Sequence, residues 1–230
     1  MVRLAVFRFG RTRIVWLRIG KRSFAFRIGR RGNDPADLHD LENWYGGSYE
    51  LAIELGPVDD DRLQLAVAAM WGAAEIRGSF VRAEREPRDH IPAALRLPEG
   101  GTLYGLVRLP TGKEIVCSVW ALTEADGSVW LSLSLPLGAL GLLEPRVGSF
   151  PVGEDGGAAS LVWRRQIDDW LGNGVAKRVF AETPFKLGLI GWEPAGEGDT
   201  DQLDGTVPAK RPHSYVVPVD AVLRYYEATE

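Results

Sequence analysis

The fold is decided by residues 102–135, which read TLYGLVRLPTGKEIVCSVWALTEADGSVWLSLSL. Runs rich in Val, Leu, Ile and Trp alternate here with the turn sequences PTGK at 110–113 and EADG at 124–127. We therefore predict three successive strands, at 102–109, 114–122 and 128–135. Because such short turns join neighbouring strands, the strands must be antiparallel.

A second three-stranded meander is predicted at the N-terminus. The segments FRFGR at 7–11, LRIGK at 17–21 and FRIGR at 26–30 repeat at a spacing of ten and then nine residues. Gly followed by one polar residue is typical of a two-residue hairpin turn, in which Gly supplies a positive φ. Turns at Gly10-Arg11 and Gly20-Lys21 then pair Phe9 with Thr12 and Ile19 with Arg22.

This register gathers apolar side chains on one face of the meander. The face consists of Val2, Leu4, Val6, Val15, Leu17, Ile19, Phe24, Phe26 and Ile28. At about 25 cal/mol per Å² of apolar surface, a set of this size is too costly to leave in water. We therefore expect residues 1–33 to pack on the body of the same chain or on a second copy, the latter giving a homo-oligomer.

The other face of the meander is basic. It carries Arg3, Arg18 and Arg27 among aromatic residues, and the turns and the end of the meander add Arg11, Lys21, Arg30 and Arg31. Cations interleaved with aromatic rings are typical of surfaces that hold phosphates and stack bases. The same cations can also protect edge strands and pair with acidic residues elsewhere in the chain. Polyanion binding is thus one of two interpretations.

Charge divides the chain into two unlike parts. Residues 1–33 contain ten of the 27 lysines and arginines and no acid, whereas residues 34–230 contain 17 basic and 31 acidic residues, a net charge of −14.

The single cysteine, Cys117, cannot form an internal disulfide. The longest apolar run, 129–143, is shorter than the roughly 20 residues that a spanning helix needs. We expect a cytoplasmic protein without a membrane span or a secretory signal.

Residues 34–230 are predicted to form an α+β domain of mostly antiparallel sheet with two main helices, and with a candidate subdomain junction near 144–159. The main helices are expected to begin at the acidic triplet 59–61 and at Ser160, the second ending at Gly172-Asn173-Gly174. A short helix is expected at 34–43, and loops at 84–99, 136–157 and 193–204. Further strands are predicted at 49–55 (half-buried), 74–83, 175–181, 186–192, 214–219 and 221–226.

No recognisable catalytic, metal or cofactor motif is present. The segment TGKE at 111–114 lacks the spacing of a phosphate loop, and the acidic loop from Glu197 to Asp204 does not match the calcium-loop pattern. His39, His90 and His213 are far apart in sequence and are interpreted as solvated loop residues. Cys117 lies in mid-strand and is expected to pack in the core. These absences favour a binding protein over an enzyme.

The most site-like cluster surrounds a flexible Gly46-Gly47 pair. Trp44, Tyr45 and Tyr49 flank these glycines, and Glu50 and Glu54 follow in the next predicted strand. Tyr and Trp bury large areas at little entropy cost, which is why they are enriched in binding surfaces. These five residues are our candidates for binding a partner or a ligand.

Three functions fit these observations. The leading hypothesis is a non-catalytic protein that recognises a protein partner, of the inhibitor or immunity type, through an acidic surface that meets a basic target. The first alternative is a small-ligand-binding protein or an enzyme with a Trp-lined pocket and a buried carboxylate such as Glu50, Glu54 or Glu182. The second alternative is nucleic-acid binding by the basic meander.

Overall fold

The computed structural model describes residues 2–9, 12–19, 22–28, 33–82, 89–147, 160–198 and 200–230, the first three ranges as backbone only. The chain divides into two compact units, Met1–Asp34 and Pro35–Glu230. Each unit is built on its own antiparallel sheet.

The N-terminal unit is the predicted meander. It consists of β1 (Val2–Phe9), β2 (Thr12–Ile19) and β3 (Arg22–Ile28), in the order β1-β2-β3. The predicted register is confirmed, since Phe9 lies opposite Thr12 and Ile19 lies opposite Arg22. The turn residues and the side chains of both faces lie outside the described part of the chain. The docking of the apolar face stays a prediction.

The second unit is built on a nine-stranded sheet. Its order is β12-β11-β10-β4-β9-β8-β7-β5-β6, and every neighbouring pair is antiparallel, which confirms the α+β fold with an antiparallel sheet. The strands are β4 (Ser48–Pro57), β5 (Arg77–Arg82), β6 (His90–Pro92), β7 (Thr102–Arg108), β8 (Glu114–Thr123), β9 (Ser128–Pro136), β10 (Leu187–Trp192), β11 (Ser214–Val219) and β12 (Val222–Tyr226).

The helices are α1 (Asp60–Ala73), α2 (Leu137–Leu143), α3 (Leu161–Asp169), α4 (Lys177–Glu182) and α5 (Thr200–Leu203), with a π-helical segment Trp170–Ala176 between α3 and α4. Asp59 caps α1 as predicted, because its side chain accepts a hydrogen bond from the backbone N–H of Arg62 at 2.9 Å. No helix in the described ranges combines the length and apolar character that crossing a bilayer requires.

One predicted strand is wrong. Residues 175–181 are helical, and the helix that begins at Leu161 continues through the π-helical segment to Glu182 instead of ending at Gly172-Asn173-Gly174. Gly172 is required by packing, since a Cβ atom there would clash with the ring of Tyr225. Gly172 thus permits close helix-to-sheet contact, and neither Gly172 nor Gly174 ends the helix.

Four other predictions need correction. The expected loop at 193–204 contains α5. Residues 34–43 form turns followed by a short 3₁₀ helix, Leu41–Trp44, capped by Asp40. The expected loop at 84–99 contains β6, and the expected loop at 136–157 begins with α2 and the 3₁₀ helix Pro145–Val147. Residues 148–159, which hold most of the candidate subdomain junction, lie outside the described ranges.

Strand β4 is buried on both faces, not half-buried as predicted. Its residues Leu51 and Ile53 pack with α1 and the α3–α4 helical stretch in the main core, on what we call the helical face of the sheet. Ala52 lies on the other side, the second face, with Trp130, Leu187 and Leu189. Ala195 and Leu203 pack on this second core, so the sheet is covered on both sides at β4.

Helix α2 packs closely on the 3₁₀ helix Leu41–Trp44 at Gly138. A Cβ atom at Gly138 would clash with the carbonyl oxygen of Glu42 and lie 3.0 Å from the carbonyl group of Asn43. Gly138→Ala should therefore lower the free energy of unfolding by about 2 kcal/mol, because backbone must move to admit the methyl group.

The matched control is Gly141→Ala in the same helix, where a Cβ atom would meet nothing within 4 Å. This change should raise stability by about 0.5–1 kcal/mol, since Ala loses less backbone entropy than Gly in a helix. Urea unfolding of both variants is the measurement. Equal effects of the two substitutions would contradict the packing interpretation.

Candidate functional site

The five residues predicted to form one binding cluster are distributed over both faces of the sheet. Tyr49 is fully buried on the helical face, where its hydroxyl donates to Asp168 and its ring lies edge-on to Trp163 at 5.0 Å. Trp44 is half-buried, its Nε1 donating to the carbonyl of Leu38 at 3.2 Å. Only Tyr45 of the three aromatic residues presents most of its surface to solvent.

A second aromatic residue joins Tyr45 at this end of the sheet. The exposed fraction is 62% for Tyr45 and 47% for Trp192, the last residue of β10. Trp192 pairs with Tyr49 on β4, and its Nε1 would lie 2.9 Å from a Cβ atom on Gly47. We call Tyr45, Gly46, Gly47 and Trp192 the aromatic corner. Trp192 was not among the predicted site residues; its sequence signal is a large aromatic residue at the last position of a predicted strand.

The aromatic corner is held by its backbone. Gly46 and Gly47 have φ of +90° and +82°, which side-chain-bearing residues rarely adopt. The carbonyl of Gly47 accepts from the N–H of Leu137 at 3.0 Å, and that of Tyr45 accepts from Gly138 at 2.9 Å. These bonds tie the corner to the first turn of α2. The glycines predicted to be flexible therefore form a fixed turn.

Glu54 has a structural position on the second face. Its carboxylate accepts from the backbone N–H and the hydroxyl of Thr200 at 3.0 and 2.7 Å, and it lies 3.5 Å from the ammonium group of Lys186. Thr200 begins α5, in the segment that covers the second core. Glu54 thus anchors this segment to the sheet.

Glu50 belongs to a row of polar residues that crosses the second face. Its carboxylate accepts from the hydroxyl of Ser134 at 2.7 Å, and Ser134 in turn accepts from Nε1 of Trp120 at 2.8 Å. The other carboxylate oxygen, Oε2, and the hydroxyl of Ser132 are buried without a hydrogen-bond partner among the described residues. Burial raises the pKa of Glu50 to about 7, and the nearby charge of Glu193 acts in the same direction.

The polar row continues to His213. Gly191 lies opposite Glu50, and a Cβ atom on Gly191 would clash with Nδ1 of His213, so the imidazole lies over this glycine. Its Nε2 is 2.7 Å from the carboxylate of Glu197, while Nδ1 is buried and unpaired within the described ranges. A carboxyl that titrates near neutrality is suited to proton transfer. Glu50 is only 3% exposed, so its carboxyl group does not open onto solvent in this structure.

The prediction that all three histidines are solvated loop residues is wrong for His90 and also for His213, whose side chain is only 12% exposed. His90 lies in β6, stacked between His39 at 5.2 Å and Tyr104 at 5.4 Å, and neither ring nitrogen has a partner among the described residues. Burial, followed by the charges of His39 and Arg82, lowers the pKa of His90 to about 4. No group of three or more metal-ligating side chains occurs in the part of the chain that the structure describes.

A large groove lies at the opposite end of β4 from the aromatic corner. It has a volume of about 1190 Å³ and runs between the first turns of α1, the loop 96–101 and the ends of β8 and β9. Among its lining residues, the one tryptophan is Trp120, and none is a buried carboxylate. The groove is therefore not the Trp-lined pocket with a buried acid that the first alternative requires.

The remaining candidates are placed as follows. Cys117 is fully buried, as predicted, and burial raises the pKa of its thiol. Glu182 is exposed. The side chains of the proposed polyanion-binding residues lie outside the described part of the chain, and nucleic-acid binding stays a prediction; these residues are Arg3, Arg11, Arg18, Lys21, Arg27, Arg30 and Arg31.

No protein-family model, no curated protein and no solved structure matches this chain.

Proposed function

We propose that this chain is a binding protein that recognises a protein partner with a basic surface through the aromatic corner. The observation that carries the proposal is the exposure of Tyr45 and Trp192, at 62% and 47%, on backbone fixed by hydrogen bonds to α2 and β4. Exposed aromatic residues in a fixed position are typical of binding hot spots.

A fixed corner favours affinity because little conformational entropy is lost on binding. The backbone N–H of Glu193 donates to the carbonyl of Ser48 at 3.1 Å, which holds the residue after Trp192 against the start of β4. Tyr45 is held from the other side by the bond from Gly138. Both aromatic side chains can thus contact a partner without rearrangement of the main chain.

The negative charge of residues 34–230 supports the proposal that the partner has a basic surface. Residues 34–230 have a net charge of −14, and Glu193, directly beside Trp192, is exposed. Acidic charge beside aromatic anchors steers a basic protein to the site and discriminates against acidic ones. This chemistry fits an inhibitor or immunity-type protein whose target has a cationic surface.

Trp192→Ala should weaken partner binding by about 30-fold, or about 2 kcal/mol, the scale of a hot-spot residue. The test immobilises the whole chain, incubates it with an extract of the cells that express it at low and moderate salt, and identifies the captured proteins. The dissociation constant of the purified partner is then measured for the wild type and the variant.

Leu65→Ala is the matched control, because Leu65 is 65% exposed but lies on α1 at a distance from the corner. We expect a basic protein that the wild type and Leu65→Ala capture equally and that Trp192→Ala does not retain. Recovery of the same proteins by all three, or of no protein, would refute the proposal.

A further inference from the structure

Strand β8 has an open edge beside the groove. Its last pair with β7 is Trp120 with Thr102, but β8 continues for three more residues, to Thr123. Ala121, Leu122 and Thr123 pair with β9 alone. On the β7 side, these three residues have no neighbouring strand within the described ranges. An unpaired strand edge is a template for another extended chain.

The direction of the backbone groups follows from the adjacent turn. The N–H of Glu124 donates to the carbonyl of Ser128 at 2.8 Å, so the polar groups of Glu124 point toward β9. Because N–H and C=O groups alternate in side along an antiparallel strand, those of Ala121 and Thr123 point the opposite way, toward the open edge. Two residues therefore offer donors and acceptors there.

The chain that would otherwise fill this edge turns away. The N–H of Gly101 donates to the carbonyl of Pro98 at 2.9 Å, and Gly100 has a φ of +59°. This turn stops the pairing at Thr102 and forms one wall of the groove. The loop before it is fixed to α1, since the side chain of Gln64 both donates to the carbonyl of Leu97, at 3.0 Å, and accepts from its N–H, at 2.8 Å.

The groove beside the edge combines apolar surface with acidic groups. Val58, Leu63 and Val129 line it, together with the carboxylates of Asp59, Asp60 and Glu99. Arg96 lies in the groove as well, but it is ion-paired with Asp60. Asp59 and Glu99 are thus not balanced by a cation that lines the groove. The groove is therefore complementary to a ligand that carries both apolar side chains and cations.

We propose that this groove binds an extended, basic segment of another protein, which adds to β8 at Ala121–Thr123. Such strand addition draws affinity from main-chain hydrogen bonds and specificity from alternate side chains. Apolar residues of the segment contact the groove, and its lysines or arginines lie near Asp59 and Glu99. The site does not depend on the aromatic corner, from which it is separated by the length of β4, roughly 30 Å for ten residues.

The test uses the hexapeptide Lys-Val-Lys-Val-Lys-Val, titrated into the ¹⁵N-labelled full chain. We expect saturable shift changes confined to the groove, at 58–64, 96–101 and 121–129. The control peptide Glu-Val-Glu-Val-Glu-Val should bind at least tenfold more weakly. Two further peptides are N-methylated on alternate residues, one at the first, third and fifth positions and one at the second, fourth and sixth. Strand addition uses the N–H groups on one side of the segment only. One methylated peptide should therefore lose at least tenfold in affinity, and the other should stay within about twofold of the unmethylated peptide.

Substitutions in this chain provide the second part of the test. Thr123→Pro removes an N–H from the open edge, whereas Thr123→Ala keeps it, so only the proline variant should lose peptide binding. The double variant Asp59→Asn with Glu99→Gln removes two charges while Asn retains the helix cap, and should abolish the preference for the basic peptide.

This second variant keeps the proposal testable if Thr123→Pro does not fold. Four results would overturn the proposal: no saturable binding at 1 mM, equal binding of the acidic peptide, equal effects of both methylation patterns, or shift changes outside the groove. Concentration-dependent shifts of the same residues without peptide would instead assign the edge to a second copy of the chain.

Discussion

Asp168→Ala should lower the free energy of unfolding by about 3–5 kcal/mol, the cost of breaking a buried ion pair by removing one partner. Asp168 and Arg164 are 2% and 1% exposed, and Nε of Arg164 lies 3.7 Å from the carboxylate. Removal of the carboxylate leaves the guanidinium buried without its counter-charge. The hydroxyls of Tyr49 and Ser214, which both donate to Asp168, lose their acceptor at the same time.

The effect should be large because Asp168 joins three parts of the fold. Tyr49 belongs to β4, Ser214 begins β11, and Asp168 itself lies on α3. Arg164 extends the connection toward the end of the chain, since it donates to the carbonyl of Pro212 at 2.6 Å. Burial raises the pKa of both Tyr49 and Asp168, which is the expected response of acids removed from water.

Asp169→Ala provides the control for this experiment. Asp169 is the next residue, is exposed, and accepts a bond from the side chain of Asn173 at 2.7 Å. Its loss should cost less than about 1 kcal/mol, as for most surface substitutions. Urea unfolding followed by tryptophan fluorescence measures both variants. If the two substitutions have similar effects, Asp168 does not hold the helix to the sheet.

Elements determined by local interactions could be predicted from the sequence. The strands β7, β8 and β9 were placed to within one residue, because turn residues and alternation of apolar side chains fix short hairpins. The register of β1, β2 and β3 followed from the position of two glycines. In each case the partner strand is the next one along the chain.

The helix that was predicted as a strand shows where local reasoning fails. Gly172 and Gly174 are expected to end a helix, and 175–181 contains two valines and a phenylalanine. Tertiary contacts override these local preferences and keep the segment helical. Leu171, Val175 and Val179 are fully buried, and the π-helical segment keeps them in the core. The close approach of Gly172 to Tyr225, far along the chain, cannot be inferred from the neighbouring residues.

The candidate site could be predicted only in part. Tyr45 was selected for its position beside two glycines, but its neighbour Trp192 is brought to the corner by the pairing of β10 with β4. The separation of Tyr49 from Glu50 follows from alternation along a strand. That both sides of this strand are covered does not follow, because the covering residues come from 60–73 and 161–182 on one side and include Ala195 and Leu203 on the other.

Glu50→Gln should raise the free energy of unfolding by about 3 kcal/mol at pH 8 and leave it nearly unchanged at pH 4. The pKa of Glu50 is raised from 4.5 to about 7 in the folded chain. Between these values, the folded chain holds a proton that the unfolded chain has released. Raising the pH through this window therefore favours the unfolded chain, and the wild type loses stability that a neutral side chain keeps.

Glutamine also suits the hydrogen bonds around this position. Its carbonyl oxygen can accept from Ser134 as the carboxylate does, and its amide group supplies a donor near the buried hydroxyl of Ser132, which has no partner among the described residues. Urea unfolding of wild type and variant between pH 4 and 8 gives the difference, with Glu99→Gln, an exposed carboxyl, as the control. A ¹³C titration of the Glu50 carboxyl should show a midpoint near 7. A midpoint below 5, or a stability difference that does not grow with pH, would show that burial does not keep this carboxyl protonated.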